Sequence, residues 1–188
     1  MRTRIDEGAS TATGAGGDGA GDGTSPASAQ AQQKIERAYR ASGLNWPKPP
    51  FYDPRVPEGD YALTGSDEGV QVGNTGVVAS DAMLTSALIA EDVHVQQILT
   101  GNYAIGGTIG GIVNEMETEY RQLDTANTVG LSEEEYNEIN VNLWKNFQKL
   151  ADAGTVGYDY RMQILVYGDF TLRPQDVSHA PLPAWLRK

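Results

Sequence analysis

Imidazole chemistry in this chain has to come from His94 or His179, because there is no third histidine. Neither stands in the HExxH spacing that places two ligands on one helix face, and no GxSxG nucleophile elbow accompanies them. His94 sits between Val93 and Val95. A hydrolase using His94 is one reading; a hydrogen-bonded core or edge histidine is the other, and the missing motifs favour it. His179 falls in a proline-broken, loop-like stretch.

Residues 101–108, GNYAIGGT, follow the spacing of a phosphate-binding loop, GxxxxGK[ST], with Gly107 where the lysine belongs. That lysine supplies the charge on the terminal phosphates, and no strongly hydrophobic strand precedes the loop. The glycines have a structural explanation instead. Gly106 with Gly110, and Gly107 with Gly111, lie four residues apart, which leaves a helix face bare for close approach of another backbone.

Carboxylates are more plentiful. In EMETE, Glu115 and Glu119 share a helix face while Glu117 points elsewhere. A metal would need further ligands, for which Asp92 or Glu91 are the candidates; a solvated acidic face is the simpler expectation. Glu133, Glu134 and Glu135 suit the positive end of a helix better than acid–base catalysis. Asp67 with Glu68, and Asp18 with Asp22, lack the spacing of a calcium loop. Cysteine is absent, which removes disulfides, thiolate metal sites and a Cys nucleophile. No cofactor, no metal and no enzyme activity are predicted.

The elements that would position these residues form an α+β protein: a small core of about three helices and a short antiparallel sheet, flanked by extended Pro-rich arms. Residues 1–34 are read as a disordered Gly/Ala/Ser-rich tail, since 6–34 contain no Leu, Ile, Val, Met or aromatic residue. Residues 35–61 follow as a short helix, spanning about 30–41 and bearing Ile35 and Tyr39, and a Pro-rich arm. Prolines 47, 49, 50, 54 and 57 bar the arm from helix and central strand. The core is 62–172. Its helices are expected at 82–90, capped by Ser80 or Asp81, at 105–123, and after Ser132. Residues 93–99 fit either a continuation of the first helix or a strand.

The helix after Ser132 has the clearest signals. Ser132 and Glu135 make a capping box, and Tyr136, Ile139, Leu143, Phe147 and Leu150 mark one buried stripe, with Gly154 ending it. Residues 158–172 alternate as a strand or a hairpin bent at Gly168-Asp169. A second arm closes the chain at 173–188.

Charge narrows the partners. Asp plus Glu outnumber Lys plus Arg by 25 to 14, a formal net charge of −11, so the phosphate attraction behind direct nucleic-acid binding is missing. The start of the chain lacks the apolar run of a secretory signal, which predicts no Sec-type export. The most apolar stretch, 103–113, is about half the ~20 residues that cross a bilayer, so no membrane span is expected.

Aromatic residues in segments that cannot join helix or central strand are the remaining signal. Trp46, Phe51, Tyr52, Trp185 and Leu186 are therefore expected to bind a partner, either copies of this chain or other subunits of an assembly. The PxxP spacing from Pro47 to Pro50 adds a weak docking motif. Together these features point to a non-enzymatic structural subunit of a large symmetric complex. Its most concrete form is a virion component (head, neck or tail) of a tailed virus, located in the virion or the host cytoplasm. The alternative is a small accessory or regulatory subunit of an enzyme complex that binds through its Pro-rich arm.

Overall fold

Nine consecutive side chains, Met83 to Glu91, are buried in one helix, so the centre of this protein is a helix covered on every side. The computed structural model describes residues 26–66, 69–101, 103, 109–152, 157–159 and 164–166. The covered helix is α3, Asp81–Thr100; α1, Pro26–Ser42, and the strand β2, Ala62–Ser66, pack on it, as does α4, Ile109–Val129. Helix α5, Glu133–Asp152, packs in turn on α4. Over 83–91 this helix has no solvent face, and its apolar residues there lose the one-sided periodicity of a surface helix. Residues 93–99, which fit two readings in the sequence, continue α3 to Thr100, with His94, Val95 and Gln97 buried and Gln96 and Leu99 exposed.

The caps are local and legible. Ser80 stands in extended conformation and its hydroxyl accepts the Met83 amide. Gly101 closes α3 in the left-handed region at φ 73°, which glycine adopts without a Cβ penalty. Ser132 and Glu135 form the expected reciprocal box: the Ser132 amide donates to Glu135 Oε2 at 2.8 Å, and the Glu135 amide to Ser132 Oγ at 3.2 Å.

The sheet is mixed, not purely antiparallel. β3, Gly69–Val72, lies between β1, Phe51–Tyr52, with which it is parallel, and β2, with which it is antiparallel. A short helix α2, Asn74–Val78, follows and lies hard against Tyr61, the residue before β2. A Cβ on Gly76 would stand 2.4 Å from the Tyr61 carbonyl oxygen, so only glycine permits that approach. Beyond α5, β4, Gly157–Asp159, and β5, Ile164–Val166, pair antiparallel, while Gly168 and Asp169 lie outside the described residues.

Residues 26–34 belong to α1, not to a disordered tail. Ala31 is buried, and Gln32 and Lys34 reach across to the sheet and to α2. The segment behind α1 forms no helix, as its prolines require, but it runs along its own core. Ile35, Ala38, Trp46, Ala62, Val70, Val72, Leu84, Leu88 and Val95 make one apolar cluster. A second, between α4 and α5, holds Val113, Met116, Leu143 and Leu150.

Candidate functional site

Trp46 is only 7 % exposed. Its ring lies 5.2 Å from Tyr39, its indole Nε1 donates to Asp92 Oδ1 at 2.6 Å, and its amide donates to the Tyr39 hydroxyl. The side chain expected to meet a partner is thus covered by α1 and α3 of its own chain. Phe51 and Tyr52 are half-buried in β1. Lys48 Nζ stands 5.4 Å over the Phe51 ring, and the Tyr52 hydroxyl donates to Asn74 Oδ1 at 2.7 Å. The outer side of β1 is closed by a side chain: Gln32 donates to the Pro50 carbonyl at 3.2 Å and accepts the Tyr52 amide at 3.0 Å. An exposed strand edge would have offered pairing to another chain, and Gln32 occupies it. Trp185, Leu186 and His179 lie outside the described residues, as do Asp67 and Glu68.

Apolar surface appears instead on α5. Ile139, Leu143 and Leu150 are buried as the stripe predicts, but Tyr136 at its start is 41 % exposed. Val141 and Trp144, off the stripe, are 49 % and 53 % exposed, and the Trp144 ring sits 5.2 Å from that of Phe147. Sequence reasoning missed Val141 and Trp144. The signal was two apolar residues three apart beside an already complete buried stripe.

The titratable groups gather in the α3–α4 layer, inside the protein. His94 is fully buried, and its Nδ1 is 2.9 Å from Gln97 Oε1. Gln97 Nε2 donates to Glu117 Oε2 at 2.6 Å and to the Asn114 carbonyl at 3.3 Å. Both are acceptors, so the amide oxygen must face the histidine and Nδ1 carries the proton. Nε2 then presents a lone pair 3.5 Å from Glu115 Oε1. Burial holds the imidazole down at about 4 against the pull of the Gln97 bond, so at neutral pH this contact is no ion pair.

Glu119 is also inside. Asn146 Nδ2 donates to its two oxygens at 3.0 and 3.1 Å while Asn146 Oδ1 accepts Lys149 Nζ at 2.9 Å; burial, partly offset by these neighbours, pushes the carboxyl up to about 7. Glu91 is fully buried and pushed up to about 8 by desolvation, with Thr64 opposing and Asp60 adding to the shift. Its oxygens make no hydrogen bond of standard geometry, and the carboxyl is neutral at pH 7. Asp92, the other metal-ligand candidate, is taken up by Trp46. Glu119 is bonded to Asn146 while Glu115 stands beside His94 without pairing with it, so the two carboxylates form no shared ligand set. Among the described residues, no group of three or more His, Asp and Glu side chains is arranged to hold a metal.

The chain matches no family model, no curated protein and no solved structure.

Most of the phosphate-loop-like segment lies outside the described residues, apart from Gly101, which caps α3, and Tyr103, whose ring meets His94 edge-on at 6.1 Å. Gly110 and Gly111 are buried at the start of α4. No described helix is long and apolar enough to cross a membrane.

Proposed function

We propose that this chain is a non-enzymatic structural subunit that joins a larger assembly through the outward face of α5. The observation that supports this is the exposed pair Val141 and Trp144 beside Tyr136 and Phe147. Large apolar side chains that cluster in the open mark interaction surfaces, and Trp in particular anchors them. Scattered exposure of single apolar residues, as at Val78 and Leu99, carries no such meaning. The sequence-based form of the reading, a head, neck or tail component of a tailed virus, rests on the character of the chain alone.

The buried titratable groups support the same view by their employment. His94, Glu119 and Glu91 are enclosed in helix packing, where a substrate has no approach, and their shifted protonation follows from burial. Light scattering coupled to size exclusion on the purified full chain tests the proposal. The wild type is expected to be heavier than one chain, and Val141→Ser/Trp144→Ser to be reduced to one chain with helix content unchanged. A wild type of one-chain mass at every loading concentration, or a double variant as heavy as the wild type, overturns it.

A further inference from the structure

Resting on the assembly reading, we infer that the partner of α5 is α5 of a second copy, packed antiparallel about a two-fold axis near Asn142 and Leu143. The exposed residues Asn137, Val141, Trp144 and Gln148 are spaced four, three and four apart, the spacing of a seam along which two helices interdigitate. Val141 and Trp144 form its centre and Asn137 and Gln148 its ends. In an antiparallel pair Val141 of each copy meets Trp144 of the other.

Charge selects the orientation. One flank of this seam carries Glu138 toward the helix start and Lys145 toward its end, both exposed, with Glu134 and Lys149 farther out. In an antiparallel two-fold pair the same flank of each helix faces itself, so Glu138 of one copy lies opposite Lys145 of the other, twice over. A parallel two-fold pair would turn this flank of each copy toward the opposite flank of the other, where Asn140 and Phe147 stand, so neither charge pair would form. Glu138 also accepts from the Tyr61 hydroxyl at 3.2 Å, and burial and the neighbouring carboxylates keep that phenol protonated, its pKa pushed up to about 12. In a chain of net charge −11, two of five lysines lie on this one helix, Lys145 and Lys149. A seam of one helix per chain, about 17 Å from Asn137 to Gln148, is small as interfaces go, which predicts a dimer that forms and dissociates with concentration.

Sedimentation velocity of the full chain over a wide concentration range provides the test, with Lys145→Glu, Glu138→Lys and the combined exchange. The wild type is expected to move from one-chain toward two-chain mass on concentration and to dissociate as salt is raised. Each single reversal creates two like-charge contacts and is expected to stay at one-chain mass. The combined exchange restores both pairs and is expected to dimerise again. Tyr61→Phe, which removes only the hydroxyl contact to Glu138, should leave the dimer intact, separating loss of that bond from loss of the intermolecular pair. If the reversals are silent while Val141→Ser/Trp144→Ser still lowers the mass, the antiparallel register is wrong and the assembly reading stands. A double exchange that fails to recover the dimer also overturns the inference, and a wild type of one-chain mass at every concentration overturns both.

Discussion

Trp46 and Trp144 have opposite fates, and each is the reverse of what local sequence suggests. Trp46 lies in a stretch broken by five prolines and ends up sealed between α1 and α3 with its indole nitrogen bonded to Asp92. Trp144 lies in the best-signalled helix of the chain and stands more than half exposed. Backbone regularity and side-chain burial are thus separate properties. Proline fixes the path of a segment without saying which surface it runs along, and a helix that packs with one stripe leaves its other faces to whatever else the chain must meet.

The sharpest way to break this contrast is to truncate both residues. Trp46→Ala should cost about 3–5 kcal/mol, because it empties a core position and strips Asp92 of its donor. Trp144→Ala should stay within about 0.5 kcal/mol of wild type in the dilute single chain, as surface changes do. Urea denaturation of the two variants measures both values, and equal losses would erase the distinction.

Next in size is the pH dependence of the α3 interior. Glu91 has its folded pKa raised from 4.5 to about 8, and Glu119 to about 7. Stability from these raised values is fully present below 4.5 and is lost as pH rises through about 7 and 8. His94 runs the other way: its value falls from 6.5 to about 4, so its contribution is present above 6.5 and is lost as pH falls through about 4. Between about pH 7 and 9 only the carboxyls of these groups act, since Tyr61, raised from 10.0 to about 12, acts at higher pH, so Glu91→Gln, which cannot ionise, should flatten the decline in Tm over that range. Parallel Tm–pH curves for variant and wild type would show that Glu91 does not hold its proton in the fold.

The smallest effect belongs to the cap of α5. Ser132→Ala should lower stability by about 1 kcal/mol, seen as a shifted urea midpoint with an unchanged slope. The effect is bounded because Glu135 still reaches the residue-132 amide and also contacts Ser80. An unchanged midpoint would mean that the box contributes nothing.

Such caps are what the sequence makes plain. Ser80, Ser132 and Glu135 act within three residues of themselves, and the helices they start follow. The course of α3 through 93–99 is ambiguous in the sequence because the preceding stretch, 83–91, is buried all round and carries no one-sided period into it. The start of α1 was obscured for another reason: its early turns bury alanine, as at Ala31, and no large apolar residue announces a face, although Pro26 suits a first helical turn. The mixed sheet depends on β1 reaching β3 across intervening chain, which no local pattern encodes. As for the candidate surface, Trp46 was assigned outward on the strength of its prolines. Val141 and Trp144 passed unnoticed because the stripe beside them already accounted for the helix.

Hydroxyl-radical footprinting of the full chain, read separately at Trp46 and Trp144 from dilute to concentrated solution, addresses the central claim directly. Trp46 should remain unlabelled throughout, its cover being its own chain. Trp144 should be labelled when dilute and become protected over the same concentration range in which the mass rises. Labelling of Trp144 that stays constant while the mass increases would place the contact elsewhere and contradict the account.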